Sequence, residues 1–335
     1  MKNSDTQIWE WKLLLKLKKS KVKILVTGCA GFIGSNLVDA LLMQDYEVAG
    51  IDNFNDYYSP DVKESNLKNA KKNKNFKLYR ADILDLERLK KIFNENQLDV
   101  VIHLAARAGV RPSLTDPHLY ANVNVLGTVN LLKLSVEHKV AKFIFGSSSS
   151  VYGDSPKIPF TEDDLCQDIV SPYGASKRAA EFFVESFNKC FGLDAVVLRF
   201  FTVYGQRGRP DMAPALFTNA ILKNEEIQIF GNGQASRDFT FIEDIIDGIV
   251  KALDAGNGFE VINLGGSKPV SVSDFIKTLE EVIGKSAKLK FGPKVNGDVQ
   301  STWANTKKAE TLLKWKSKYT LKQGLSAYVD WYKSH

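Results

Sequence analysis

Cysteine is scarce in this sequence. Its 335 residues include three cysteines, Cys29, Cys166 and Cys190, which lie far apart and form no C-x-x-C pair or cluster with histidine. This pattern argues against a disulfide framework and a structural zinc site, and it is typical of a protein in a reducing compartment. We therefore expect no metal site and a cytoplasmic location.

Long apolar runs are also missing. Residues 8–19 read IWEWKLLLKLKK, which mixes apolar and basic side chains without an unbroken apolar core. Neither a signal peptide nor a membrane-spanning helix is expected from such a segment. Three interpretations of an N-terminal extension at residues 1–20 stay open: an arm packed on the body, a loose extension, or a basic amphipathic segment on an anionic membrane.

Motifs that read DNA or RNA are absent as well. The formal net charge is +6 at neutral pH, but much of it comes from local lysine clusters such as residues 68–77. A lysine cluster of this kind indicates a solvated surface, and no nucleic-acid partner is expected.

Short apolar strands alternate with helical patterns along the first 200 residues. Strands are predicted at 21–27, 47–52, 76–79, 99–104, 143–145 and 195–199, and helices at 35–43, 84–94 and about 120–138. Continuously apolar strands separated by helices are typical of an α/β fold with a doubly wound parallel sheet that is covered on both faces.

The pattern changes after Thr202, where loops rich in Gly, Pro and Arg alternate with short helices. This change predicts a smaller, discontinuous C-terminal lobe. The predicted domains are residues 21–200, to which part of 235–265 returns, and a lobe formed mainly by 201–335.

A glycine-rich loop joins the first predicted strand to the first predicted helix. Residues 27–34 read TGCAGFIG, which places Gly28, Gly31 and Gly34 at G-x-x-G-x-x-G spacing. Glycine permits the tight turn and lets backbone N–H groups approach a pyrophosphate at the helix N-terminus. The loop predicts a dinucleotide site that also involves Phe32 and Ile33.

Carboxylates follow the second and third predicted strands. Asp52 lies eighteen residues beyond Gly34, where it can accept hydrogen bonds from both adenosine ribose hydroxyls and repel a 2′-phosphate. This position favours NAD over NADP. Asp82, after the third strand, is placed to meet the adenine amino group.

Tyr173 and Lys177 lie four residues apart in SPYGASK, at a predicted helix start. Residues i and i+4 share a helix face, so the Lys177 ammonium is expected to lower the pKa of the Tyr173 hydroxyl. Tyr173 would then accept a proton near neutral pH. The pair alone is not specific, because Y-x-x-x-K arises by chance in many helices.

Together these motifs resemble the extended short-chain dehydrogenase/reductase family of nucleotide-sugar enzymes, from about Lys21 to the C-terminus. The resemblance implies a Rossmann-like NAD domain and a third catalytic group, Ser148, twenty-five residues before the tyrosine. It rests on the following segments: the glycine loop, Asp52–Asn53, His103–Ala106, Asn124–Thr128, Ser147–Gly153, Tyr173 with Lys177, and Arg237–Thr240.

In the family mechanism, Tyr173 and Ser148 remove the proton from the sugar O4, hydride leaves C4 for the nicotinamide, and Lys177 holds the nicotinamide ribose. Further cofactor contacts are implied at Asn53, Ile83, Leu104, Ala105, Ala106 and Asn124.

The residues before Val-Tyr-Gly separate the branches of the family. Ser149 and Ser150 stand where 4,6-dehydratases carry an Asp-Glu pair, and Ser150 stands where UDP-glucuronate decarboxylases carry glutamate. Serine hydroxyls cannot provide the acid/base catalysis of these carboxylates, so the dehydratase and decarboxylase branches are both disfavoured. The reaction that remains is 4-epimerisation through a 4-keto sugar.

Several segments most resemble the UDP-glucuronate 4-epimerases: Leu198–Gly205, Gly208–Ala213, residues 52–58 and Gly109–Arg111. The product would be UDP-galacturonate, used in polysaccharide biosynthesis. The implied substrate contacts are Arg111, Ser148, Ser149, Ser150, Thr202, Arg209, Phe230, Arg237 and Asp298. One departure is Val295, where many sugar epimerases carry arginine; Lys294 is the nearest substitute.

Two alternatives stay open at this point. One is a UDP-glucose or UDP-N-acetylglucosamine 4-epimerase, although the common UDP-glucose enzymes carry Asn where this chain has Thr202. The other is a non-catalytic NAD-binding scaffold, which the Ser148, Tyr173 and Lys177 set disfavours. The family also implies a homodimer formed through helices that flank the sheet.

Overall fold

A computed structural model describes residues 22–293 and 299–335 of the chain. The predicted N-terminal extension lies outside these residues, as do Lys294, Val295 and Asp298. The strands are β1 (Lys23–Thr27), β2 (Glu47–Asp52), β3 (Phe76–Arg80), β4 (Val100–His103), β5 (Lys142–Ser148), β6 (Ala195–Phe200), β7 (Thr202–Tyr204), β8 (Glu226–Phe230), β9 (Ser236–Phe241), β10 (Phe259–Leu264), β11 (Pro269–Ser271) and β12 (Lys288–Gly292).

Helices separate most of the strands. They are α1 (Phe32–Leu42), α2 (Pro60–Asn66), α3 (Leu86–Glu95), α4 (Val110–Thr115), α5 (Pro117–Tyr120), α6 (Gly127–Glu137), α7 (Pro172–Phe191), α8 (Ala213–Lys223), α9 (Ile242–Ala252), α10 (Val272–Ile283), α11 (Lys307–Leu312) and α12 (Leu321–Ser334). Short 3-10 turns lie at Ala70–Lys72 and Ser149–Tyr152.

The main sheet is parallel and has seven strands within the described residues, in the order β10-β6-β5-β4-β1-β2-β3. Its central strands consist largely of Val, Ile, Leu and Phe, and apolar clusters cover both faces. Burial of both faces is what a parallel sheet requires. The predicted Rossmann-like α/β fold is confirmed.

The chain order reverses at β1, which lies between β2 and β4. In open α/β sheets, ligands bind at such a switch point, in the crevice outside the carboxyl ends of the strands. The glycine loop, Asp52 and His103 all lie at this edge, because they end or follow β1, β2 and β4.

Residues after β6 build smaller sheets beside the main one. β7, β9 and β11 form one sheet, and β8 pairs with β12 in another. The chain also returns to the main sheet, where β10 pairs in parallel with β6. The exact division into two domains stays a prediction.

One predicted helix is interrupted. The sequence predicts a single helix from Tyr120 to His138, whereas α5 and α6 are joined by a π-helical stretch at Ala121–Leu126. Wider turns of this kind are frequent at functional sites. Across 22–293 and 299–335, none of the helices combines the length and apolar character needed to cross a bilayer.

Candidate active site

A cavity of about 540 Å³ opens at the carboxyl edge of the main sheet. Its wall is built from the glycine loop, the ends of β2, β4 and β5, the first turns of α7 and the segment that follows β6. Most of the predicted site residues line it: Gly28, Gly31, Phe32, Ile33, Gly34, Asp52, Asn53, Asp82, Ile83, Leu104, Ala105, Ala106, Ser148, Ser149, Ser150, Tyr173, Lys177, Thr202 and Arg209.

The glycine loop requires glycine for steric reasons. Gly28 has φ +69°, and a Cβ at Gly34 would lie 2.0 Å from the Gly28 carbonyl oxygen. Helix α1 begins after Gly31, and no side chain caps its N-terminus. Its first backbone N–H groups therefore face the cavity with the positive end of the helix dipole, which suits a pyrophosphate.

Asp52 ends β2 and is held in a fixed orientation. Its carboxylate accepts hydrogen bonds from the backbone N–H of Ala30 at 3.0 Å and of Phe54 at 2.8 Å. Burial nevertheless raises the pKa of Asp52 above its usual value. A carboxylate held at this strand end is placed to bind a ribose.

Asp82 lies next to Asn53 on the cavity wall. The Asn53 amide donates to the Asp82 carboxylate at 2.8 Å, and the Leu84 backbone N–H donates to its second oxygen at 2.8 Å. Asp52 and Asp82 are the acidic residues that line the cavity within the part of the chain that the structure describes.

Helix α7 presents Tyr173 and Lys177 to the cavity. Ser171 caps its N-terminus, because the Ser171 Oγ accepts a hydrogen bond from the Gly174 N–H at 3.1 Å, and Pro172 occupies the first helical position. Lys177 Nζ donates to the Gly146 carbonyl at 2.7 Å. The predicted helix start is confirmed.

The predicted direction of the Tyr173 pKa shift is wrong. Burial raises the pKa of Tyr173, while a hydrogen bond with Ser148 and the charge of Arg209 act in the opposite direction. Burial also lowers the pKa of Lys177 to about 7, against the opposing effect of Glu181. Desolvation on this helix face therefore affects the pKa of Tyr173 more than the predicted effect of the Lys177 ammonium does.

A group of hydroxyls surrounds the end of β5 near Tyr173. Ser148 Oγ accepts a hydrogen bond from the Ser150 N–H at 3.1 Å and donates to the Ser150 Oγ at 3.2 Å. Ser149 and Thr202 line the same part of the wall. We call Ser148, Ser149, Ser150 and Thr202 the hydroxyl cluster.

Arg209 reaches the cavity from the segment after β7. Its guanidinium makes a two-point ion pair with Asp211, at 2.6 and 3.0 Å, and donates to the Tyr57 hydroxyl at 3.0 Å. The charge of this predicted substrate contact is thus already paired within the protein.

Three predicted substrate contacts do not line the cavity. The Arg111 guanidinium lies 4.4 Å from the centre of the Phe230 ring, outside the cavity wall. Arg237 on β9 donates to the Ser236 carbonyl at 2.8 Å. The described cavity wall does not include these residues, so their contacts with substrate stay predictions.

Asn124 is a predicted cofactor contact with a different structural setting. Its side chain is buried in the π-helical stretch, accepts from the Arg107 N–H at 2.8 Å and donates to the Ser176 Oγ at 2.9 Å. Asn124 thereby fixes the loop after β4 against α7, and it does not line the cavity.

The cavity wall also contains residues that the sequence did not single out. Tyr57, Tyr58, Lys63 and Arg107 all line it. Lys63 is buried and donates to the Asn55 carbonyl at 2.7 Å. The resemblance at residues 52–58 marked this loop, but only the tertiary fold places α2 beside it. No group of three His, Cys, Asp or Glu side chains within 22–293 and 299–335 could hold a metal ion.

Comparison with known proteins places the chain in a family. Residues 25–328 match the family model described as GDP-mannose 4,6 dehydratase. A UDP-glucuronate 4-epimerase from Thermodesulfobacterium geofontis is 44% identical over 313 residues, which cover 93% of this chain and 96% of that protein.

Solved structures agree. The UDP-glucuronic acid 4-epimerase of Bacillus cereus, in complex with UDP-glucuronic acid and NAD, matches with a TM-score of 0.88 and 42% identity over 93% of this chain and 99% of that one. The UDP-glucose 4-epimerase of Thermotoga maritima, with UDP-glucose, matches with a TM-score of 0.87 and 34% identity over 93% and 99% of the two chains. The chain therefore belongs to the extended short-chain dehydrogenase/reductase family of nucleotide-sugar enzymes, and its relatives include UDP-glucuronate 4-epimerases.

Proposed function

We propose that this protein is an NAD-dependent UDP-glucuronate 4-epimerase, an isomerase that interconverts UDP-glucuronate and UDP-galacturonate through a transient 4-keto sugar. Similarity to enzymes named for this activity, at 42 to 44% identity over more than nine-tenths of the chain, supports the assignment. The arrangement of the cavity supports it independently.

The residues present fit NAD. The Gly28–Gly34 turn leaves no room for a Cβ at Gly28 or Gly34, so its backbone is bare at the start of α1, and Asp52 offers a fixed carboxylate to the adenosine ribose. Lys177 lines the same cavity, and we assign it to the nicotinamide ribose. When bound, NAD accepts the hydride from C4 of the sugar and later returns it.

Side chains of this protein transfer the proton of the sugar O4. Tyr173 accepts the proton from the sugar O4 as C4 is oxidised, and its hydrogen bond with Ser148 orients the phenol and offsets part of the effect of burial. The 4-keto sugar then turns over in the cavity. Tyr173 returns the proton to O4 when the opposite face of C4 is reduced, which inverts that centre.

The hydroxyl cluster is the observation that carries the choice of reaction. It lies beside Tyr173, whereas Asp52 and Asp82, the carboxylates of the described cavity wall, follow β2 and β3. Dehydration needs further acid/base groups at the sugar, and Ser149 and Ser150 cannot provide a carboxylate. The same absence disfavours decarboxylation.

The hydroxyl cluster also suits the C6 carboxylate of a uronic acid. Neutral hydroxyls can each donate one hydrogen bond to it. The 4-keto intermediate is a β-keto acid, which readily loses carbon dioxide. Neutral donors that hold the carboxylate restrain this loss, because no carboxylic acid of the described wall lies beside them.

Separate incubation with UDP-glucuronate, UDP-glucose and UDP-N-acetylglucosamine tests the proposal, with product stereochemistry read by NMR. We expect the highest kcat/KM for UDP-glucuronate, with C4 inverted. A preference for UDP-glucose would overturn the substrate and keep the mechanism. No turnover of any of the three sugars would favour a non-catalytic scaffold.

The proposed enzyme is a cytoplasmic homodimer that supplies polysaccharide biosynthesis. Large apolar side chains stay exposed on α7 and at the end of the π-helical stretch, namely Phe182, Phe183, Phe191 and Leu126. Helices α6 and α7 flank the sheet, where the family resemblance places the dimer contact. Light scattering tests this arrangement, and a monomer at micromolar concentration would contradict it.

A further inference from the structure

Glu181 is a buried carboxylate behind the proposed catalytic residues. It lies on α7 one turn beyond Lys177 and two turns beyond Tyr173, so the three side chains share one helix face. Only 1% of Glu181 is exposed. Glutamate is rarely buried unless its charge is compensated.

Four donors surround this carboxylate. Its Oε1 accepts from the Ser147 Oγ at 2.6 Å and the Arg199 Nε at 3.0 Å, and its Oε2 accepts from the Arg199 Nη2 at 2.8 Å and the Arg178 Nη1 at 2.9 Å. Arg199 is itself 1% exposed and faces Ser147 in the β5–β6 register. Paired donors of this kind hold a carboxylate in one orientation.

The three residues on the α7 face each hold one residue at the end of β5. Tyr173 is hydrogen-bonded to Ser148, Lys177 to the Gly146 carbonyl and Glu181 to Ser147. The Glu181 contact thus lies one residue along the strand from the hydroxyl next to Tyr173.

Charge links Glu181 to Lys177 as well. Lys177 is buried, and the charge of Glu181 raises its pKa against the larger effect of desolvation. The other ionisable groups around the pair are Tyr173 and Arg178 on α7, His103 on β4, Arg199 on β6 and Cys166 in the segment before α7. From β5, the Phe145 ring and the Gly146 carbonyl face the Lys177 ammonium.

We propose that Glu181 is a positioning residue of the reaction, which fixes the end of β5 through Ser147 and offsets the buried charge of Lys177 one helical turn away. This inference rests on the proposed function, because it assigns roles to Ser148 and Lys177. It adds a residue that touches neither the sugar nor the cofactor.

Three variants separate the two effects in the NAD-loaded enzyme. Glu181→Gln removes the charge, Glu181→Asp keeps the charge but shortens the reach to Ser147, and Ser147→Ala removes the hydrogen bond while the charge of Glu181 stays. We expect Ser147→Ala and Glu181→Asp to lower kcat by roughly tenfold or more, as displacement of a reacting group does. The pH profile of kcat should keep its position in both.

Glu181→Gln should shift the profile. Loss of a negative charge one helical turn away lowers the pKa of Lys177 by roughly one unit, so the alkaline limb moves to lower pH. The same shift should appear in the 13Cε NMR titration of Lys177, assigned by its disappearance in Lys177→Met.

Asp244→Asn is the matched control. Asp244 is a 1% exposed carboxylate that accepts from the Ser317 hydroxyl and the Lys318 and Tyr319 backbone, and it lies outside the cavity wall. It should lower the unfolding temperature without moving the pH profile. If Glu181→Gln behaved in the same way, with an unchanged Lys177 titration, the electrostatic role would be wrong.

The proposal can still be tested if Glu181→Gln does not fold or if the wild-type enzyme is inactive. Removing one partner of a buried ion pair is strongly destabilising, so Glu181→Gln is scored only if it retains NAD binding. If it does not, wild-type kcat in both Ser147→Ala and Glu181→Asp would overturn the positioning role. An inactive wild-type enzyme would refute the proposed function instead, while the Lys177 titration would still test the charge.

Discussion

Lys177 Nζ lies 2.7 Å from the Gly146 carbonyl oxygen, so the ammonium expected to acidify Tyr173 is anchored on strand β5. Lys177 is buried and Tyr173 is half-buried, and desolvation raises the pKa of Tyr173 and lowers the pKa of Lys177. The hydrogen bond with Ser148 and the charge of Arg209 are what lower the pKa of Tyr173 within the protein itself.

Replacing Tyr173 with Phe should remove the proton acceptor and leave the cavity shape nearly unchanged. We expect kcat to fall by about 10²–10⁴, with little change in NAD affinity, because general acid–base catalysis contributes an effect of this size. Steady-state kinetics and calorimetric NAD titration measure the two quantities.

Tyr120→Phe is the matched control for that variant. The Tyr120 ring packs edge-on against Tyr173 at 6.1 Å, and its hydroxyl donates to the Ala108 carbonyl at 3.0 Å. Loss of the Tyr120 hydroxyl should lower the free energy of unfolding by on the order of 1 kcal/mol. It should leave kcat within a few-fold of the wild-type value. Unchanged turnover by Tyr173→Phe would remove Tyr173 from the mechanism.

Asp52→Asn should weaken the discrimination between NAD and NADP. The substitution keeps an acceptor for the Ala30 or Phe54 N–H but removes the charge that repels a 2′-phosphate. We expect the ratio of the NADP and NAD dissociation constants to fall by roughly tenfold, the usual size of one charged contact. Asp82→Asn, at the adenine end, should leave this ratio unchanged; an equal change in both variants would contradict the role of Asp52.

His103 predicts a loss of stability in acid. It is fully buried between the Thr27 and Thr128 hydroxyls, at 2.7 and 3.0 Å, and burial lowers its pKa from 6.5 to about 3. Between pH 6.5 and about 3, His103 is protonated in the unfolded chain but stays neutral in the folded protein. The stabilisation is therefore complete above pH 6.5 and falls, by on the order of a few kcal/mol, toward pH 3.

The unfolding temperature, measured between about pH 7.5 and 4.5, tests this effect. The range spans ~three pH units around the pKa of histidine in the unfolded chain. His103→Asn should have a lower unfolding temperature at neutral pH and a smaller decline in acid than the wild type. The exposed His118 provides the control, because His118→Asn should keep the wild-type decline. Equal slopes for all three proteins would contradict the assignment to His103.

A carboxylic acid within the hydroxyl cluster should change the products. Ser150→Glu places the acid where the decarboxylases of the family carry glutamate, so we expect more UDP-pentose relative to UDP-galacturonate by NMR. Ser150→Ala removes a donor without adding an acid and should not raise this ratio. If the wild-type enzyme already released pentose as fast as it epimerised, the proposed restraint by the hydroxyl cluster would fail.

The fold and much of the cavity wall could be predicted because their signals are local. The glycine loop, Asp52 and the capped start of α7 each depend on a few neighbouring residues whose chemistry fixes the backbone. The parallel sheet then brings these segments to one edge, since they follow the carboxyl ends of its strands.

The remaining features depend on contacts between distant segments. The contact of Arg209 with Tyr57, and the buried contact between Glu181 and Arg199, join loops and strands that no short motif relates. The raised pKa of Tyr173 has the same origin, because the extent of burial is a property of the whole cavity.

Conversion of UDP-glucuronate in deuterated water tests the central claim most directly. If hydride leaves C4 and returns to the same carbon while Tyr173 carries the O4 proton, NMR will show UDP-galacturonate with protium retained at C4. Deuterium at C4 would mean that the centre is inverted by proton exchange with solvent, and would contradict the account.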